Sequence, residues 1–345
     1  MAYKAIHKKL HQWYQKYGRK DLPWRITDDP YHIWVSEVML QQTQVSTVLE
    51  RYYTPFLAEF PTIDVLAAAP YDKVMKNWEG LGYYRRAGNL HKAAQLVNQH
   101  YNSKLPSDIA SLKELPGIGR NTAHAISCFG FNAPVPIMEA NLRRVLCRFF
   151  ALEKAGEKEL WEKSYLLLDQ ENSFDYNQAM MDIGALICRK HVTYCERCPL
   201  AERCIGKKEP GRYPLPKVSK VTPIRKKNII IYQNDHGELW LSARETNFLG
   251  GLYGFVEYDL AQDIKEANHL IEEGNGVHLG GVRQSYSHFI LEADVWLKSG
   301  IPEIWPNDGG GVNGKWYSKS IVDKLPLSRA DEKILRLFIA YEEEE

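Results

Sequence analysis

Up to about residue 206 the apolar positions recur at three- and four-residue spacing, the period of helices that bury one face. Leu142, Val145, Leu146 and Phe149 form one such stripe. Breaks at DLPW, FP, GLGYY, LPSD and LPGIG divide the stretch into separate helices. The texture changes after KKEPGRYPLPKVSKVTPIRKK, whose prolines and lysines mark a linker. NIIIYQNDHGELWLSAR then flanks an Asn-Asp-His-Gly turn with β-branched and aromatic residues, which predicts strand, turn and strand. GGVRQSYSHFILEADVWL adds more strand, and the closing EEEE is expected to be a frayed, solvated tail. No internal repeat is visible. The pattern predicts a multidomain protein: an all-α domain over 1–206, a basic Pro-rich linker over 207–227 and an α+β domain over 228–345.

A chain of 345 residues suits two domains of unequal size. With 44% hydrophobic and 25% charged residues the composition is that of a globular protein, and no apolar run is long enough to cross a bilayer. The opening MAYKAIHKKLHQWYQKYG reads as an amphipathic helix without the apolar core of a signal peptide. A cytoplasmic, nucleoid-associated monomer with no membrane partner is expected. The net charge of +1 hides an uneven distribution. Residues 1–206 carry 26 Lys/Arg against 22 Asp/Glu, residues 207–230 carry 8 against 1, and residues 231–345 carry 10 against 20. Basic charge near the first domain and the linker suits a polyanion, or equally a solvated linker.

Four of the six cysteines lie in CRKHVTYCERCPLAERC: Cys188, Cys195, Cys198 and Cys204. Disulfides are not expected in a chain read as intracellular. Four thiolates in one short loop can close around zinc or an iron–sulfur cluster. A zinc ribbon pairs two CxxC knuckles from separate hairpins, and this loop has only one, so a 4Fe–4S cluster is the expected cofactor. Its expected job is to fold a basic loop against a phosphate backbone. Cys128 and Cys147 sit singly in apolar helical patterns and are expected to be buried.

SLKELPGIGRNTAHAIS reads as helix, turn, helix. Gly117 and Gly119 let the backbone approach a ligand closely, and the first N–H groups of the second helix can hold a phosphate. Alone, such a turn is only a turn. Together with a downstream acid and the four-cysteine loop it resembles the helix–hairpin–helix DNA glycosylase superfamily, over nearly all of residues 1–206. WVSEVMLQQTQV, GLGYYRRAGNLHKAA, LPGIGRNTAHAI and NQAMMDIGALIC are similar to segments of MutY-type adenine DNA glycosylases, which excise adenine mispaired with 8-oxoguanine. The resemblance implies double-stranded DNA with an A:8-oxoguanine or A:G mismatch as the partner. The related endonuclease III uses a lysine just after the hairpin for lyase chemistry. Asn121 stands there in this chain, so no Schiff-base amine is available and a monofunctional glycosylase is expected.

Breaking an adenine N-glycosidic bond needs a proton on the departing base and negative charge near the sugar that becomes positive. Glu37, in the otherwise apolar IWVSEVML, occupies the position of the family's general acid, and partial burial would keep it protonated. Glu139 occupies the position of the second carboxylate, where the family has Asp in a DGN context and this chain has EAN. Glu is one methylene longer, Ala140 replaces a glycine, and Asn121 replaces a Ser or Tyr that helps organise water. Three readings follow: Glu139 does the work of Asp after a local shift, the enzyme is slow, or the protein binds lesions without cutting.

By the same resemblance, Gln42 and Tyr83 match positions that wedge into the base stack, with Leu40 beside them, and Trp24, Arg25 and Asp182 match positions lining the adenine pocket. The C-terminal domain resembles the Nudix-like domain with which this family reads 8-oxoguanine. The stretch DLAQDIKEANHLIEEGNG lacks the REUxEExG pattern that holds a catalytic metal, which excludes Nudix hydrolysis. Tyr286, Ser287 and His288 match the recognition loop, Tyr286 to stack on the purine and the other two to hydrogen-bond its edge. A thymine- or uracil-directed glycosylase is the rival enzyme, and the second domain argues against it.

Overall fold

The computed structural model describes residues 3–215, 221–244, 248–259, 276–300 and 314–344. They form two compact units, the first from Met1–Ala67 with Lys92–Ser219, the second from Ala68–His91 with Lys220–Glu345. Ala68–His91, expected within the helical domain, therefore packs with the second unit. Lys76 Nζ donates to Leu325 O at 3.0 Å, and Glu79 accepts from the Leu327 N–H at 2.8 Å. An amphipathic segment belongs with the surface that satisfies it, which a periodicity reading cannot identify.

The first unit is helical among the described residues. The predicted stripe of the helix Ala140–Phe149 is buried against Ile6, Leu10 and Tyr14 of the helix Lys4–Tyr17 and against Tyr176 and Met180 of the helix Ser173–Asp182. A smaller core of Ile33, Ala125, Cys128, Phe129 and Ile137 joins the helix Pro30–Met39 to the helix Arg120–Phe131. Cys128 and Cys147 are buried, as expected. The helix Ser173–Asp182 runs directly into a π-helical turn, Ile183–Ile187, that ends at Cys188. A Cβ on Gly184 in that turn would lie 2.7 Å from the Asn141 Cβ, so glycine is what lets these two segments pack.

The linker reading is corrected at both ends. Residues Ile205–Lys208 and Pro210–Arg212 form 3₁₀ turns that pack on the first unit, where Arg148 donates to Pro210 O and Tyr213 O and Arg212 pairs with Glu153. At the other end strand β1 begins at Ile224, before the expected boundary. Charge and proline content mark a solvated surface, and a solvated surface can still be tied down by its backbone carbonyls.

The second unit carries a mixed sheet of β1 (Ile224–Gln233), β2 (Leu239–Ala243), β3 (Tyr253–Gly254), β4 (Val256–Asp259), β5 (Gly276–Ser285), β6 (Ile290–Ser299) and β7 (Lys315–Tyr317). Its order is β3-β2-β1-β6-β5, with β4 on β1 and β7 on β2. β1 and β6 run parallel, and the other pairs are antiparallel. The strand–turn–strand expected around Asn234–Gly237 is β1 and β2, turned at Gly237 with φ of 74°. Alternate residues of β1 face opposite ways. Ile229 and Ile231 meet Ile334 and Phe338 of the helix Arg329–Glu344, while Ile230 and Tyr232 pack with Val256, Tyr258 and Trp296. Most of the stretch examined for a Nudix metal helix, residues 260–275, lies outside the described residues.

The expected frayed tail is instead the last turn of the helix Arg329–Glu344, with Glu342 paired to Lys319. A neighbouring cation offsets the unfavourable acid at a helix C-terminus. Among the described residues no helix is long and apolar enough to cross a membrane.

Inside the second unit Arg244 donates to Asp331 Oδ1 and Oδ2 at 3.0 and 2.8 Å and to Glu257 at 2.6 Å, and Glu257 also accepts from Lys227 at 2.8 Å. Removing the cation leaves Asp331, 1% exposed, as an uncompensated buried charge. Arg244→Ala is therefore expected to cost this unit about 3 kcal/mol, read as a lower urea midpoint, and an unchanged midpoint would contradict the network.

Candidate active site

The helix Pro30–Met39 starts with Asp29, whose side chain accepts from the Tyr31 N–H, and with Pro30 in the first turn. It buries residues nearly all round, from Ile33 and Trp34 to Val38 and Met39, and Glu37 is its only charge. The Glu37 side chain opens into a cavity of about 510 Å³. Glu139 lines the same cavity, with Asn121, Leu40, Gln42, Trp24 and Arg25. Seven of the residues expected at the site are thus brought together.

Glu139 holds the N-cap position of the helix Ala140–Phe149, yet its side chain makes no capping bond. Its carboxylate faces the cavity. Its φ of −84° and ψ of 170° are ordinary extended backbone, so replacing the neighbouring glycine by Ala140 imposes no left-handed strain here. The backbone leading to Glu139 is pinned. The Met138 N–H donates to Asn121 Oδ1 at 2.6 Å, the Ile137 N–H to Asn177 Oδ1 at 3.0 Å, and Pro136 O bonds His124 Nδ1 at 2.8 Å. Asn121 lines the cavity, but its carbonyl is committed to main chain, which differs from the expectation that this position organises water.

Burial raises both carboxyls, with different neighbours acting on each. Burial in the apolar helix, and then the charge of Glu139, push Glu37 up to about 8, with Arg25 opposing. Burial also raises Glu139, while Arg25 and then Arg19 pull it back. The negative charge of Glu139 is itself part of what raises Glu37, so the two carboxyls titrate as a pair.

Arg25 is fixed by Asp182, to which it donates at 2.8 and 3.0 Å. Arg19 adds bonds from its backbone N–H and its guanidinium to the same carboxylate. Asp182 is fully buried; burial alone would raise it, and these cations hold it below the usual carboxylate range. It stands behind Arg25 and does not line the cavity as expected.

At the hairpin Gly117 takes φ of 79°, whereas Gly119 has an ordinary φ of −82°. A Cβ on Gly119 would meet nothing within 4 Å, so the N-terminus of the helix Arg120–Phe131 is open to a ligand. Gln42 and Tyr83, the expected wedge residues, share an unusual property. Both are exposed, and both hold left-handed backbone, with φ of 58° and 50°. Each costs about 1 kcal/mol or more in a residue other than glycine.

Cys188, Cys195, Cys198 and Cys204 line one small pocket with Arg148. Burial first, then the nearness of the other sulfurs, pushes Cys198 up to about 12 and Cys204 to about 11. Among the described residues no three such side chains gather tightly enough for a single metal ion. The four thiols share one pocket, a donor set suited to zinc or to an iron–sulfur cluster.

In the second unit Tyr286 turns inward. It packs on the core and against Phe248 and Phe289, at ring separations of 5.1 and 4.9 Å, and burial raises its phenol to about 12. Tyr286 stays partly exposed and lines a pocket of the second unit with Phe248, Phe289 and Arg225. Ser287 and His288 are exposed, and Ser287 Oγ lies 2.9 Å from His288 Nδ1.

Residues 35–168 match the family described as HhH-GPD superfamily base excision DNA repair protein, and residues 228–337 match a NUDIX domain. A curated adenine DNA glycosylase of Buchnera aphidicola subsp. Baizongia pistaciae (strain Bp) is 43% identical over 348 residues, covering 96% of each chain. The chain belongs to the adenine DNA glycosylase family. A thermostable thymine-DNA glycosylase structure has 27% identity and a TM-score of 0.56, covering 60% of this chain and 96% of its own. An endonuclease III–DNA complex, at 20% identity and TM-score 0.52, covers 59% of this chain and 93% of its own and shares the fold.

Within this family frame one cavity residue escaped the sequence reading. Gln178 is 2% exposed, lines the cavity, and has no partner for Oε1 among the described residues. A buried amide oxygen left open costs about 1–3 kcal/mol unless something pairs with it. It lies four residues before Asp182 in NQAMMDIGALIC, on the same helix face, and that spacing was the available signal.

Asn121→Ala should leave the Met138 N–H unpaired and lower the stability of the first unit by about 1–2 kcal/mol. A thermal melt that does not shift would mean the segment before Glu139 is held without it.

Proposed function

We propose that this chain is a monofunctional glycosylase that removes adenine opposite 8-oxoguanine or guanine in duplex DNA, working as a single copy. The observation that carries the reading is one cavity onto which Glu37 and Glu139 both open, each raised above the ordinary carboxylate range by burial. Glu37 donates its proton to the adenine ring as the C1′–N9 bond breaks, and the electron pair of that bond leaves with the base. The sugar becomes an oxocarbenium ion, which the Glu139 carboxylate stabilises by charge. Water adds at C1′ and loses its proton to a carboxylate. The open Gln178 Oε1 suits a base that presents an amino group.

The adenine must leave the duplex to reach the cavity. Leu40 and Gln42 fill the vacated stack, and the strained backbone of Gln42 supports that role; Tyr83, with the same left-handed backbone, is the second unit's own candidate for a wedge. The open helix end behind Gly117 and Gly119 holds a phosphate. Trp24 and Arg25 line the base site, with Asp182 orienting Arg25. Ser287 and His288 hydrogen-bond the opposing 8-oxoguanine. Cys188, Cys195, Cys198 and Cys204 would hold a 4Fe–4S cluster, which when bound cross-links the loop. The purified protein should be brown and carry about four irons per chain. Zinc in stoichiometric amount after iron-sufficient, anaerobic preparation would overturn the cluster assignment.

Single-turnover cleavage of A:8-oxoguanine, A:G, T:G and U:G duplexes tests the reading, which fails if the thymine or uracil duplex is cut faster. The rate should be bell-shaped in pH. The Glu37 proton is present below about 8 and lost above it, while Glu139 must be ionised, so the acid limb should lie above the ordinary carboxylate range. Glu37→Gln should abolish the alkaline limb and slow cleavage by about 10²-fold or more. Glu139→Gln should slow it comparably with mismatch binding retained. Glu139→Asp should also be slower, because the pinned backbone at 136–138 cannot follow the shorter side chain. A faster Asp variant would identify a damaged enzyme instead.

A further inference from the structure

We propose that Arg225 is a phosphate-binding residue of the second unit, gripping the DNA strand whose base faces Ser287 and His288. The inference rests on the proposed reading of the substrate and adds to it a contact on the lesion strand. Register fixes the location. β1 and β6 are parallel with Arg225 opposite Leu291, and the Ile290 N–H donates to Pro223 O at 2.9 Å. The start of β1 therefore lies beside the turn that carries Ser287 and His288.

The Arg225 guanidinium carbon sits 4.3 Å from the centre of the Phe289 ring, the residue next to His288. Phe289 is buried, so the ring is a fixed platform and the flat cation on it is ordered before any ligand arrives. Arg225 is exposed and has no carboxylate partner among the described residues. The nearby acids are occupied: Glu257 is held by Lys227 and Arg244, Asp331 by Arg244, and Glu292 by Arg283. Arg225 belongs to the basic stretch 207–230, and the sheet it joins is drawn mostly from 231–345, where acidic residues are twice the basic ones. A preorganised guanidinium in such a setting fits a discrete anion met at one place, and guanidinium–phosphate pairing is bidentate. Phosphate contacts of this kind set register while the neighbouring base contacts read identity.

Lys226 supplies the control. It carries the same charge and has no ion-pair partner among the described residues. By strand alternation it shares the opposite sheet face with Ile230 and Tyr232, whereas Arg225 shares the face of Ile229 and Ile231. Binding of the full-length protein is measured across a salt series to an 8-oxoguanine duplex whose opposing adenosine carries a 2′-fluorine and keeps its base. Arg225→Gln should weaken binding about fivefold and reduce the salt slope by about 1, the loss of one phosphate contact. Arg225→Lys should keep the slope, and Lys226→Gln should change neither quantity. Ser287→Ala should lower the preference for 8-oxoguanine over guanine without changing the slope.

An unchanged slope in Arg225→Gln overturns the contact, and so does an equal loss in Lys226→Gln, which would mean only diffuse attraction. Failure of the wild-type protein to cleave the unmodified duplex, with the Arg225 effect intact, would sink the proposed reaction and leave the contact standing.

Discussion

The site of the first unit depends on one buried carboxylate. Asp182 has no access to water and would be intolerable there without cations. Arg25 takes both its oxygens, and Arg19 adds a backbone and a side-chain bond. This draws the segment before the helix Pro30–Met39 onto the end of the helix Ser173–Asp182. The same interaction aims Arg25 at the cavity, where its charge lowers the proton affinity of both glutamates. The chain then leaves Asp182 through a π-helical turn and reaches Cys188 within six residues. Base site and cysteine loop are thus successive consequences of one helix.

Two carboxyls in one cavity would be useless if they were equivalent. Glu37 lies in a helix that offers it almost no polar company, so burial dominates and the proton stays. Glu139 stands at a helix N-terminus, whose dipole favours negative charge, and sees two arginines. Arg25 and Arg19 oppose burial at Glu139, whereas at Glu37 the charge of Glu139 adds to it, and side-chain length sets where the Glu139 carboxyl sits. With residues 136–138 bonded to Asn121, Asn177 and His124, that place is set by the side chain and not by backbone adjustment.

The second unit solves a different problem, presenting a polar turn from an acidic body. Tyr286 is spent on anchoring: its ring packs with Phe248 and Phe289, and Ser287 and His288 are left outside. Behind it the Lys227–Glu257–Arg244–Asp331 network neutralises charge within the fold. An acidic protein surface repels a polyanion at long range, so contact must come from ordered groups in a small area.

Much of this was legible in the amino-acid order because it is local. The four-cysteine loop, the hairpin glycines, the apolar helix around Glu37, the stripe of Leu142 to Phe149 and the β1–β2 turn each depend on residues a few positions apart. Where those side chains point was not legible. Asp182 was expected in the cavity wall and stands behind Arg25, a partner 157 positions away. Gln178 was passed over because an unpaired buried amide is a property of surroundings and not of spacing. Tyr286 was expected to stack on a base; in the turn after β5 its ring packs on Phe248 and Phe289, partners that the order of residues does not reveal. The linker and Glu342 suggested solvent, but Arg148 holds the carbonyls of Pro210 and Tyr213, Glu153 pairs with Arg212, and Lys319 pairs with Glu342. Sequence determined which groups were present and which local shapes they could take. Tertiary packing alone decided which were desolvated together, and desolvation is what raises both cavity glutamates.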